Sequence, residues 1–201
     1  MTPLRLLIAT HNKGKLREYR RLLADLPVEL TYLDEVGITE DVPETGSTFE
    51  ENAIQKATAY ARMSGMLTLA DDSGLEVDAL GGEPGIHSAR YAGPGATDED
   101  RIRKLLNALA DVPLEKRTAR FRCVIAVATP RGEVYTAEGE VEGLITDTPR
   151  GQHGFGYDPV FFLPDRGCTM AELPPEEKNR ISHRARAAER IKPLLHEILK
   201  G

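Results

Sequence analysis

Leu4-Arg5-Leu6-Leu7-Ile8-Ala9-Thr10-His11-Asn12-Lys13-Gly14-Lys15 is the stretch whose reading decides the fold class. Its first half is almost continuously apolar, as a strand buried on both faces of a parallel sheet must be. Its second half is a polar turn. A helix is predicted from about Lys15 to Leu26, because Leu16, Tyr19, Leu22, Leu23 and Leu26 recur at steps of three and four. Val28 to Leu33 then reads as a second strand. Strand, polar turn, helix and strand in this order give an α/β protein. They also put the turn at a helix N-terminus, where unpaired amides and the positive dipole end favour an anion.

The next decisive stretch is Ala70-Asp71-Asp72-Ser73-Gly74, entered from the short apolar run Met66 to Leu69. Two adjacent carboxylates at the end of a strand suit a hard cation or an oriented water. Upstream, Thr48-Phe49-Glu50-Glu51 has the T-x-x-E form of a capping box, so a helix should run from there to about Met63 and stop at Gly65. Phe49, Ala53, Ile54, Ala57 and Ala61 are its expected inward face. Downstream, Thr97 to Asp100 opens a third helix. Thr118 to Ala128 and Val134 to Ile145 read as a hairpin closed by Thr129-Pro130-Arg131-Gly132. Gly151 to Asp158 is a glycine-rich loop leading into Val160-Phe161-Phe162-Leu163.

The C-terminal segment is read with a break at Ser182. On one continuous helix Lys178 and His183 would lie about 140° apart, too far to meet one ligand. Serine is a good N-cap, which would place His183 and Arg184 in a new first turn. Ala188, Ile191, Leu195 and Ile198 form the apolar stripe that follows, and Pro193 should kink it.

Composition bounds the rest. A chain of 201 residues with 40% hydrophobic and 29% charged residues is read as one domain, residues 1–201, with a substantial core. A net charge of −6 argues against a general nucleic-acid binder. No apolar run is long enough to span a membrane, and Leu4 to Thr10 is not a convincing signal peptide. Cys123 and Cys168 lack metal-ligand spacing and suit a reducing, cytoplasmic setting. Any anion site must therefore be local.

Four constellations offer chemistry. Thr10, His11, Asn12, Lys13, Gly14 and Lys15 supply cationic and directed donors without forming a Walker A motif. Asp71, Asp72 and Ser73, with Glu44 and Glu51 upstream, supply hard oxygens suited to Mg²⁺. Gly154-Phe155-Gly156-Tyr157-Asp158 lets a flat ring approach the backbone and stack. Lys178 with Ser182-His183-Arg184 can bind an oxyanion or a carbonyl. Each alone also fits a blander role: a solvated loop, a turn, a β-bulge, a charged helix start. Together they are the set a nucleoside triphosphate with Mg²⁺ requires, and spacing does not choose between Asp71 and Asp72.

At these residues the chain resembles the inosine/xanthosine triphosphate pyrophosphatase family of house-cleaning enzymes. LLIATHNKGKLRE, LADDSGLEVDALGGEPGIHSARYAG, HGFGYDPVFF and EEKNRISHRARA occur in the family's order across nearly the whole chain. His11 stands where the family usually has glycine, and His87 where it usually has tyrosine. The resemblance implies an elongated α/β fold with a mixed sheet flanked by helices, two lobes around a central cleft, and a homodimer. It implies Mg²⁺-dependent hydrolysis of non-standard purine triphosphates (ITP, dITP, XTP) to the monophosphate and pyrophosphate. Thr10 to Lys15 would bind the triphosphate, and Glu44 and Asp72 the metal, with Asp72 as general base. Ser73 would touch substrate, Phe155, Gly156, Tyr157 and Asp158 would hold base and sugar, and Lys178, His183 and Arg184 would read the base. The competing readings are a pyrophosphatase for other modified nucleotides and a nucleotide-binding module without turnover.

Overall fold

The computed structural model describes residues 2–201 and has a mixed α/β fold. Seven strands form one sheet in the order β2-β1-β3-β4-β5-β6-β7. The strands are β1 (Arg5–Ile8), β2 (Glu29–Tyr32), β3 (Leu67–Val77), β4 (Thr118–Ala128), β5 (Val134–Ile145), β6 (Phe161–Leu163) and β7 (Cys168–Thr169). The helices are α1 (Lys13–Leu22), α2 (Phe49–Ser64), α3 (Asp98–Ala108), α4 (Pro175–Ile181) and α5 (His183–Lys200). β1 pairs in parallel with both β2 and β3, as its nearly continuous apolar run predicts. β6 is antiparallel to β5 and to β7. Among the described residues no helix is long and apolar enough to cross a membrane.

The chain divides into two compact units. The first comprises the chain up to Asp72, Cys123–Gly139 and Arg184–Gly201; the second comprises Ser73–Arg122 and Glu140–His183. Each has its own core. In the first, Leu6 and Ile8 of β1, Leu69 of β3 and Ile125 and Val127 of β4 pack with Tyr19, Leu22 and Leu23. Ala188, Ile191 and Leu195 of α5 complete that cluster, on the stripe the sequence predicts. In the second, Leu75 and Val77, Ile102 and Leu105 of α3, Phe121, Val141 and Phe161 form the centre. Gly143 is required there, since a Cβ would strike the Phe161 ring and the Phe162 carbonyl.

Several boundaries differ from expectation for identifiable reasons. α1 begins two residues earlier than predicted, at Lys13, because the Asn12 side chain caps it by accepting the Lys15 amide at 3.0 Å. It ends at Leu22, although Leu23 and Leu26 remain buried beyond it. Thr48 caps α2 through the Glu51 amide, but Glu51 accepts from the Ser47 amide and hydroxyl, so the reciprocal bond of a capping box goes to the preceding residue. Gly65 closes α2 in the left-handed conformation at φ 67°. Thr97 and Asp100 form the full reciprocal box at α3. The chain is extended at Ser182, between α4 and α5, as the phase argument requires. α5 continues through Pro193 to Lys200.

The largest difference is β3. The sequence suggests a strand that ends at two adjacent acids. Instead β3 runs eleven residues, through Asp71, Asp72, Ser73 and Gly74 to Val77. The two aspartates are therefore interior strand residues, and successive side chains leave opposite faces.

Candidate active site

Alternation along β3 gives the aspartates different neighbours. Asp71 enters a buried cage. Lys15 Nζ lies 2.6 Å from its Oδ1, Arg184 Nε lies 3.0 Å from Oδ2, and the Tyr19 hydroxyl donates to Oδ2. The Cys123 thiol lies 3.7 Å from the same oxygen. Arg184, only 1% exposed, also pairs with Glu18 at 3.2 Å. Burial alone would raise the Asp71 carboxyl, but Lys15, Arg184 and Lys56 together hold it well below the usual carboxylate range. Asp71 is thus a fixed anion. It holds the first turn of α1 and the first turn of α5 on one strand.

Asp72 faces α2. The Asn52 amide donates to its Oδ2 at 3.1 Å, and the Asn52 oxygen accepts the Gly46 amide at 2.8 Å. Lys56, one turn further along, pairs with Glu44 at 2.9 Å. Burial and then the Glu44 charge raise the Asp72 carboxyl from the ordinary 3.8 to about 6, against the pull of Lys56, Lys15 and Asn52. A carboxyl so poised is charged near neutrality yet can still accept a proton, which is what a general base needs.

The loop bearing Glu44 is pinned by one face of α2. Tyr60 donates to the Glu40 carbonyl, Gln55 bonds both the amide and the hydroxyl of Thr45, and Asn52 holds Gly46. Asn52 and Lys56 were not among the expected site residues. Their signal was present: Phe49, Asn52, Ala53, Lys56, Ala57 and Tyr60 follow the helical period, so two polar residues interrupt an inward face.

The turn Thr10–Lys15 spans the cap and first turn of α1. Two lysines and no acid occupy the positive end of that helix, a local cost that an anion offsets. The Lys15 ammonium is engaged by Asp71. Lys13 is exposed. His11 turns toward the Glu44 loop, with Nε2 3.4 Å from the Glu40 carbonyl and 3.6 Å from Asp41, and Nδ1 3.8 Å from Asp34. Arg184 has protein partners of its own. Its Nε and Nη1 are directed at Asp71 and Glu18, which makes the residue part of the cage.

The second unit contains the other constellation. Asp158, 2% exposed, accepts Lys178 Nζ at 2.6 Å and the Phe155 amide at 3.1 Å through one oxygen. Lys178 lies over the Phe155 ring, 4.7 Å from its centroid. The His183 ring stacks on Phe121 at 4.8 Å, and Phe121 stacks on Phe161 at 4.2 Å. Ser73, the residue after Asp72, opens this unit. Gly154 is at φ 73°, and a Cβ there would collide with the Asp158 carboxylate. Gly154→Ala is therefore expected to break the Asp158–Lys178–Phe155 arrangement; if the loop holds the base, as the sequence resemblance implies, the KM for a nucleotide substrate rises at least tenfold, read by steady-state kinetics.

Both carboxylates, Glu44 and Asp72, are hard oxygen donors whose mutual repulsion a cation would relieve, so they fit Mg²⁺. Among the described residues no group of three or more His, Cys, Asp or Glu side chains is arranged to hold a metal. A set of two carboxylates accords with the habit of Mg²⁺ of completing its shell with water and phosphate oxygens.

A poised carboxylate on a strand of a mixed sheet, and a helix start rich in lysine, suit the chemistry of phosphoanhydrides. The chain belongs to the Ham1 family, which matches it over residues 6–194. It is 54% identical to a dITP/XTP pyrophosphatase of Geobacter sulfurreducens over 94% of both chains. It is 51% identical to one of Bacillus subtilis, covering 94% of this chain and 96% of that protein. A Ham1 protein of Coxiella burnetii superposes with a TM-score of 0.87 at 45% identity, covering 96% of this chain and 99% of the other. The resemblance found in the four sequence blocks is thus borne out.

Proposed function

We propose that this protein hydrolyses non-standard purine nucleoside triphosphates, ITP, dITP and XTP, to the monophosphate and pyrophosphate. The observation that carries the reading is Asp72: a buried carboxyl raised to about 6, hydrogen-bonded by Asn52, beside Glu44 and Lys56. The relatives' names, dITP/XTP pyrophosphatase, support the substrate class.

In the proposed step Asp72 takes the proton of a water that attacks the α-phosphorus. The new P–O bond forms as the α–β bridging bond breaks, and pyrophosphate leaves. Glu44 and Asp72 would hold Mg²⁺, which when bound would neutralise phosphate charge. Lys13 and the amides of the Asn12-capped turn bind the polyphosphate, and Lys56 adds a buried positive charge. Phe155 to Asp158 hold base and sugar with Lys178. His183 supplies a donor for the 6-oxo group that ITP and XTP share and ATP lacks. A hydrogen-bonding site can reject the wrong edge by roughly 10⁴-fold. The proposal includes a homodimer in the cytoplasm, the former read by sedimentation equilibrium.

The test is pyrophosphate release across ITP, XTP, GTP and ATP, with and without EDTA. Release from ITP and XTP that EDTA abolishes supports the reading. Equal rates on ATP sink the base-reading part, and orthophosphate as the first product sinks the reaction.

A further inference from the structure

Three consecutive residues of the glycine–aromatic loop are each held by a different part of the second unit. The Phe155 amide donates to Asp158 within the loop, at 3.1 Å. The Gly156 amide donates to Asp98 Oδ2, on the first residue of α3, at 2.9 Å. The Tyr157 hydroxyl donates to the Ser88 carbonyl at 2.7 Å. Asp98 is itself oriented. Its Oδ1 accepts Arg101 Nη1 at 2.9 Å, and Arg101 Nε donates to the Ala89 carbonyl at 2.9 Å, next to Ser88. Ser88 closes the circuit: its hydroxyl accepts the Leu75 amide of β3 at 2.9 Å.

This circuit is not needed for α3 to form. Thr97 and Asp100 already cap that helix reciprocally, which leaves the Asp98 carboxylate available for the loop. Gly156 sits at φ 63°, a conformation with no side chain to wedge it in place. Its orientation therefore depends on bonds to its backbone, and Asp98 accepts the amide. A charged acceptor is the stronger kind.

We propose that Asp98 is a positioning residue for nucleotide recognition. Its carboxylate, set by Arg101, fixes the Gly156 amide between Tyr157, which is anchored in the second core, and the partly exposed Phe155 ring, and so holds that ring ready for a base. This rests on the reading that Phe155 to Asp158 hold the base and sugar. Binding energy for the base is then greater because the loop is ordered in advance. Phosphate binding and the hydrolytic step, assigned to groups of the first unit, do not depend on it.

The experiment compares wild type, Asp98→Ala and Asp98→Asn. The Asp98 side chain is half exposed, so neither change leaves a cavity, and Arg101 keeps its bond to the Ala89 carbonyl. Asp98→Ala is expected to raise the KM for ITP about tenfold with kcat within twofold of wild type. The Ki of inorganic tripolyphosphate, which has no base, stays unchanged. Asp98→Asn, which keeps a carbonyl acceptor for Gly156, recovers most of the affinity. An unchanged KM in Asp98→Ala overturns the proposal, and so does an equal loss of tripolyphosphate affinity. If wild type releases no pyrophosphate from ITP, the functional reading fails on its own. The loop proposal is then judged by calorimetric Kd values for ITP and tripolyphosphate, with the same expected contrast.

Discussion

Asp72→Asn is expected to lose about 10²–10⁴-fold in pyrophosphate release, the range of a general base, and yet to be more stable than wild type at pH 8. The two effects have one cause. Burial and the Glu44 charge oppose ionisation of Asp72, raising it from 3.8 to about 6. Between those values the native protein binds more protons than the unfolded chain, so stability falls as pH rises through that window. Below about pH 4 both states are protonated and the cost is absent. Above about pH 6 it is complete: roughly two pKa units, or about 3 kcal/mol. Asparagine is never charged and removes it. At this chain length each kcal/mol moves the midpoint by about 2–4 °C. Thermal melting in EDTA should place the variant several degrees above wild type at pH 8, with the gap closing near pH 4. A gap of the same size at both pH values would show that ionisation of Asp72 is not its source.

The neighbouring residue has the opposite sign. Asp71→Asn should cost about 3–5 kcal/mol, as removal of one partner from a buried ion pair does. It would leave Arg184, which is almost wholly buried, with Glu18 as its remaining carboxylate among these contacts, and Lys15 without its 2.6 Å anion. Because the folded Asp71 carboxyl lies well below its ordinary value, its stabilisation is present above about pH 4. It is lost as pH falls through the folded value. Urea unfolding should therefore show a large deficit at pH 7 that shrinks in acid. A deficit under about 1 kcal/mol at pH 7 would mean that the cage is not stabilising. Total stability of a domain is only about 5–15 kcal/mol, so this variant should also express less well.

Much of the fold was legible because its signals are local. The β4–β5 hairpin follows from two β-branched runs around a proline–glycine turn. The break at Ser182 follows from helical phase and the capping preference of serine, and the Thr97 cap from a four-residue pattern. β3 was misread past Leu69 because Asp-Asp-Ser-Gly is turn chemistry when nothing else is known. What makes those residues a strand is remote. Lys15 lies 56 positions before Asp71, and Arg184 lies 113 after it. The same distance hides the contacts of Arg184 and Lys15 with Asp71, since that partner cannot be seen from their own neighbourhood. Asn52 and Lys56 were missed for a different reason. Their helical spacing is visible, but the apolar residues beside them dominate the inward face that the period defines.

The alternation of β3 also bears on how this chain tolerates insertions and deletions. Moving the strand by one position turns every side chain to the other face. A single-residue deletion between Leu69 and Asp71 would present Asp72 to the cage of Lys15, Tyr19 and Arg184, and Ser73 to Asn52. The protein would keep an acid at its structural position and lose the one at its chemical position. Length in this strand is accordingly a requirement in its own right, beside the identities of Asp71 and Asp72, and libraries built here should leave the residue count fixed.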